Sequence, residues 1–234
     1  MNEQMHEPNK RPNRLIPLLL VVLIAVAAGW YFKTSQVEKQ ALSLLEGDDK
    51  LVEIYQKALT REQQAKQESD NFSFHNAAFF HWKSLGDSTN EEYFYRRALK
   101  ISNEALKNEK ARSALFYLNA GNVHKILGEF DQADKNYHEA VELNEGDELM
   151  WLARIELWQY WDKKDPADVL ELYDRGLNVL LSAPNLAISR GSYLASIGDY
   201  QQALSVYEAA RVAFPDQKGI AEKIQELKYK IETQ

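Results

Sequence analysis

The 234-residue chain contains no cysteine, and that absence removes several chemistries together. Disulfides, thiolate zinc sites, cysteine nucleophiles and lipid attachment through an N-terminal cysteine are excluded, and an oxidising compartment is tolerable without being required. Glycine (10) and proline (6) are sparse. No glycine-rich phosphate loop, no G-x-S-x-G nucleophile elbow and no aspartate-rich calcium loop occurs. The histidines, His6, His75, His81, His124 and His138, include no pair at the i, i+4 spacing that sets two imidazoles on one turn of a metal-binding helix. Acidic pairs such as Asp48 with Asp49 and Asp131 with Asp134 fall at turns and helix starts, where carboxylates cap backbone N–H groups and face the positive end of the helix dipole. No catalytic residue, metal ligand or cofactor site is assigned.

Positive charge is also scarce. The chain has 28 Lys and Arg against 35 Asp and Glu, and positions 1–33 hold Lys10, Arg11, Arg14 and Lys33 with Glu3 and Glu7. The remainder therefore carries 24 basic against 33 acidic side chains. Such a body repels a phosphate backbone, which removes nucleic acid from the expected partners.

One long apolar run stands out, LIPLLLVVLIAVAAGWYF at residues 15–32, without a charge. At a helical rise of about 1.5 Å per residue it spans roughly 27 Å, close to a bilayer core of about 30 Å. Lys10, Arg11 and Arg14 crowd its front edge, Lys33 stands behind it, and Trp30, Tyr31 and Phe32 sit where interfacial aromatics anchor a helix end. These features predict a single-pass transmembrane helix, a cytoplasmic basic tail at 1–14, and the bulk of the chain on the extracytoplasmic side of a bacterial inner membrane. Two readings compete. Ala25-Val26-Ala27 has the small-x-small form of a signal-peptide cleavage site, and the small charge difference across the run leaves the opposite orientation open.

The chain also repeats itself. LGEFDQADKNYHEAVEL (127–143) and IGDYQQALSVYEAARVA (197–213) share their landmarks. Gly128 and Gly198 stand two steps of 35 residues apart, and Gly121 and Gly191 each precede them by seven. After them come Ala133 or Ala203, Tyr137 or Tyr207, and Ala140 or Ala210; Pro215 closes the second copy where Glu145 stands in the first. This spacing predicts two antiparallel helices. Gly128 and Gly198 end the first helix in the left-handed conformation. Gly121 against Ala133, and Gly191 against Ala203, provide small residues where two backbones approach. Tyr137 with Ala140, and Tyr207 with Ala210, share one face of the second helix. A lone pair of this kind cannot bury its apolar face, whereas stacked copies cover one another.

The pattern resembles the tetratricopeptide repeat, a helix-turn-helix of about 34 residues, with copies at 114–147 and 184–217. Residues 148–183 read as a degraded copy with a longer turn, marked by Trp151, Trp158, Pro166, Tyr173 and Gly176. Upstream, Gly86, Tyr95 and Ala98 repeat the offsets, with a first helix at 72–85. Gly86 lies 42 residues before Gly128, so a longer helix or an inserted loop is expected there. Tyr55 and Ala58 give a fainter match. The predicted fold is all-α: a right-handed solenoid of four to five antiparallel helix pairs, with a linker and divergent first pair at 33–71, repeats over 72–217 and a capping helix at 218–234. Ile220, Ile224, Leu227 and Ile231 form an amphipathic stripe on that last helix, which also suits a dimerising helix.

The resemblance implies a concave groove, lined by the first helices, that holds a peptide or partner domain. The matching positions are Leu118, Asn122 and Lys125, then Glu156 and Gln159, then Ile188 and Ser192. Some members grip a terminal carboxylate with a Lys and an Asn on successive turns; Asn122 matches the Asn, and Leu118 departs from the Lys. Trp151 and Trp158, seven apart, are expected to share a buried face. One of Tyr160 and Trp161 is then left for a contact surface, and His124, at an aromatic repeat position, is expected to pack. The function implied is that of a membrane-anchored scaffold for protein partners, not an enzyme, in assembly or quality control of envelope proteins. The alternative is a permanent structural subunit of a larger membrane complex.

Overall fold

The computed structural model describes residues 36–233. The predicted transmembrane helix at 15–32 and the tail at 1–14 lie outside the described residues. Among the described residues no helix is long and apolar enough to cross a membrane.

The described residues divide into two units after Val52. In the first, residues 36–43 are helical and helix α1, Asp49–Gln67, begins. The second holds the rest of α1, then α2 (Phe72–Thr89), α3 (Glu92–Leu106), α4 (Ala114–Ile126), α5 (Phe130–Leu143), α6 (Glu148–Glu156), α7 (Pro166–Val179), α8 (Pro184–Ser196), α9 (Tyr200–Ala213) and α10 (Ile220–Glu232). A π-helical turn, Leu157–Trp161, continues α6 without a break. No strand occurs among the described residues. Within this unit α2 packs with α3, α4 with α5, α6 with α7 and α8 with α9, and successive pairs touch, which makes the all-α solenoid of helix pairs.

Local chemistry sets where the helices start. Asn71, Ser113 and Asp147 accept the backbone N–H two residues on, at 3.1, 3.2 and 3.0 Å, satisfying donors that a first turn leaves open. Pro166 and Pro184 open α7 and α8, where the missing N–H is one the helix does not need. The turns inside the pairs need a left-handed residue, and Gly128 and Gly198 provide it at φ 74° and 88°. The other two pairs use Asn90 (φ 56°) and Lys163 (φ 51°). Gly128, Lys163 and Gly198 stand at equal steps of 35, so the degraded copy keeps the register of the turn after losing its glycine. Lys163 is exposed and bears the backbone strain alone. Lys163→Gly is expected to stabilise the chain by about 0.5–1 kcal/mol, read as a higher urea midpoint; an unchanged or lower midpoint would remove the strain argument.

Gly86 is a correction. It lies inside α2, four residues before the Asn90 turn, and α2 has 18 residues where α4 has 13. The extra length of α2 precedes Gly86, and Gly86 lies against Tyr95 as Gly121 lies against Tyr137. Measured to Gly121 the step is the regular 35 residues, so the 42-residue interval to Gly128 compares unlike positions. At the other end, Ile220, Ile224 and Leu227 of α10 are buried with Ala203, Tyr207 and Ala210 of α9, so α9 of the same chain covers the apolar stripe.

Candidate functional site

In three of the pairs the second helix sends a tyrosine across a glycine of the first. A Cβ added at Gly86, Gly121 or Gly191 would lie 2.7, 2.5 or 2.9 Å from the ring of Tyr95, Tyr137 or Tyr207. The partner of each small residue is therefore an aromatic ring, where the sequence pattern placed Ala133 and Ala203; both alanines are buried nearby in the same pairs. The hydroxyl emerges on the far side beside the residue next after the glycine. Tyr137 donates to Asn122 Oδ1 at 2.7 Å, Tyr95 donates to Asp87 Oδ1 at 3.1 Å, and Tyr207 lies 2.7 Å from Ser192 Oγ.

The third pair varies the scheme. Gln159 Nε2 donates to the Tyr173 hydroxyl at 2.7 Å, and that hydroxyl lies 2.6 Å from Ser189 Oγ on α8. Burial pushes the pKa of both Tyr137 and Tyr173 up, with the Glu156 charge adding to the effect at Tyr137. Both therefore stay neutral hydroxyls at neutral pH; Tyr137 donates to Asn122 Oδ1 and Tyr173 accepts from Gln159 Nε2, which orients the two amides.

These side chains edge a groove of about 540 Å³. Helix α4 contributes Leu118, Asn122 and Lys125, α6 contributes Leu149, Leu152, Ala153 and Glu156, the π turn contributes Gln159 and Tyr160, and α8 contributes Ser189. Lys125 Nζ meets Glu156 Oε1 at 2.9 Å across it; the lysine side chain is 17% exposed and the glutamate 51%. Leu149 and Tyr160 stand at the rim, 54% and 68% exposed. Leu118, Asn122, Lys125, Glu156 and Gln159 thus come together. Ile188 instead packs toward α9 and α10, and Ser192 lines a separate recess with Tyr207 and Lys223. Leu149 and Leu152 were missed, although with Glu156 and Tyr160 they keep the i, i+3, i+7, i+11 spacing of one helix face.

The two tryptophans pack on one core cluster unequally, Trp151 buried within it and Trp158 half-buried against it. Trp151 is buried and donates Nε1–H to the Glu145 carbonyl at 2.8 Å. Trp158, past the start of the π turn, donates to Asp134 Oδ1 at 2.6 Å with the Arg154 guanidinium 4.8 Å over its ring. Trp161 tilts against Phe130, which leaves Tyr160 to the groove. His124 is hydrogen-bonded as well as packed: its Nδ1 lies 2.6 Å from the Glu129 carboxylate. The Arg96 guanidinium holds that carboxyl at about 2, against its burial and with help from His124. Among the described residues no group of His, Asp and Glu is placed to hold a metal ion.

Residues 114–147 match the family model of the tetratricopeptide repeat. No curated protein matches the chain. Among solved structures, the C-terminal part of a tetratricopeptide repeat-containing protein from Cytophaga hutchinsonii aligns at 13% identity and a TM-score of 0.55, over 81% of this chain and 78% of that one. YrrB, described as a tetratricopeptide repeat protein with an unusual peptide-binding site, aligns at 18% identity over 75% of this chain and 85% of its own, with a TM-score of 0.48. A tetratricopeptide repeat protein from Parabacteroides merdae aligns at 14% identity over 93% and 86%, with a TM-score of 0.41. At these identities the likeness is one of fold: the chain carries a tetratricopeptide repeat at 114–147 within helix pairs of the same architecture.

Proposed function

We propose that the chain is an interaction scaffold that holds a segment of a partner protein in the groove between α4, α6 and α8. In the same proposal residues 15–32 anchor it in a bacterial inner membrane, with the repeats on the extracytoplasmic side, where it serves assembly or quality control of envelope proteins. The observation that carries the groove reading is the exposed pair Leu149 and Tyr160 above oriented amides. Apolar area at the rim with a few fixed polar groups below is the usual make-up of a binding site, and tyrosine is favoured among residues that dominate binding energy. An anchor raises the effective concentration of clients at the same surface without new contacts.

Panning a random-peptide display library on the full chain in detergent micelles tests the groove. Wild type is expected to enrich binders, and Leu149→Ala with Tyr160→Ala to lose about tenfold of that enrichment while keeping the helical circular dichroism. Enrichment indifferent to the double change would refute the groove. The anchor is tested with Gln234→Cys, the only thiol in the chain, and a maleimide that does not cross membranes. Labelling in intact spheroplasts is expected; protection until the membrane is broken would reverse the orientation.

A further inference from the structure

Resting on the groove as the binding site, we infer that the segment it takes is apolar with one basic side chain, received by Glu156 and Tyr160, and that a carboxylate is refused. Lys125 and Glu156 are the charged side chains lining the groove, and they are not equivalent. Lys125 lies beneath, its ammonium committed to Glu156 Oε1 at 2.9 Å, whereas the glutamate is half exposed and its Oε2 meets no hydrogen-bond partner among the described residues. The charge offered to a visitor is therefore negative.

Tyr160, four residues further along, turns an exposed ring to the same mouth. A Lys or Arg set there gains a charge-assisted hydrogen bond to Oε2 and the face of the ring. Leu118, Leu149 and Leu152 supply the apolar remainder of the lining. An incoming carboxylate would meet Glu156 before reaching an ammonium already paired, a like-charge approach that disfavours it. The wider field agrees, since the chain beyond residue 33 carries 33 acidic against 24 basic side chains and steers cationic partners toward it.

The test reads the composition of peptides enriched from a random-peptide display library by the full chain in detergent micelles. Wild type is expected to raise Lys and Arg over Asp and Glu by about five-fold relative to the input, the ratio an ion pair at a half-exposed site supplies. Glu156→Gln is expected to abolish that bias. Lys125→Met keeps the aliphatic stem but frees the glutamate from its internal cation, and is expected to enlarge the bias. If the ion pair merely supported the fold, both variants would shift enrichment the same way, and that result overturns the inference. So does an enriched pool no more basic than the input. A pool without charge bias that still depends on Leu149 and Tyr160 overturns this inference and leaves the groove reading intact; enrichment indifferent to those two residues, or none at all, overturns both.

Discussion

Glu62→Ala is expected to destabilise the chain by about 2–4 kcal/mol, the cost of leaving a half-buried guanidinium and a buried indole N–H without their shared acceptor, read as a fall in the urea midpoint. Glu62 is 3% exposed on α1. Its Oε2 accepts from Trp82 Nε1 on α2 at 3.0 Å and from the Arg97 guanidinium on α3, and its Oε1 meets Lys66 Nζ at 2.7 Å. Arg97 also lies 4.6 Å over the Trp82 ring, so one carboxylate joins three helices. Alanine would strand the guanidinium, whose Nε already lacks a hydrogen-bond partner, together with the indole N–H. Glu62→Leu combined with Arg97→Met removes both charges and is expected to recover most of the loss, because well-packed apolar groups replace buried ion pairs at little net cost. A single-variant loss below about 1 kcal/mol would mean that the pair behaves as a surface ion pair.

The same carboxylate gives stability a pH dependence of known sign. Burial opposes ionisation of Glu62, but Lys66 and Arg97 outweigh it, and the folded pKa lies below the ordinary glutamate value. A carboxyl with a depressed folded pKa contributes stability that is complete above its unfolded pKa of about 4.3 and is lost as pH falls through the folded value. Wild type is thus expected to lose more stability on acidification from neutral pH than Glu62→Ala does.

How much of this was legible in the sequence depended on what each residue type is used for. Gly128 and Gly198 stand out because few residues besides glycine take positive φ, and they fixed the pairs at 114–147 and 184–217. Asn90 and Lys163 occupy the same conformation, yet nothing in their chemistry marks them, so the turn of the degraded copy was found only in the structure. Gly86 misled for a related reason: glycine serves both at a turn and beneath a tyrosine, and the offset to Tyr95 does not separate the two uses. The groove face of α4 came from the family resemblance, carried over position by position around Gly121. Ile188 and Ser192 were carried over in the same way, but α9 and α10 engage that end of the array. The π turn after α6 leaves no mark in the hydrophobic spacing. Glu62 was invisible because its partners Trp82 and Arg97 are brought to it by the packing of three helices.

Gly121→Leu is expected to cost about 2 kcal/mol or more, because its side chain would have to occupy the Tyr137 ring. Even a bare Cβ there lies 2.5 Å from Tyr137 Cε1. The ring has little room to retreat: Tyr137 is fully buried in a core with Ala133, Ala140 and Trp151, and its hydroxyl is tied to Asn122. Helix propensity works the other way, favouring Leu over Gly by about 1 kcal/mol inside a helix, but overpacking a closed core costs about 1–3 kcal/mol even for added methylenes. Sterics are expected to win. Gly128→Ala is the control, since a Cβ there meets nothing within 4 Å and only the φ of 74° opposes it, for about 1 kcal/mol. A double-mutant cycle of Gly121→Ala with Tyr137→Leu isolates the contact: removing the ring should make the added methyl nearly harmless, a coupling of about 1 kcal/mol or more between touching residues. Additive effects would mean that the ring and the glycine do not meet. The contact matters beyond stability, because a ring pushed aside carries its hydroxyl away from Asn122, and the amide at the groove then loses the bond that orients it.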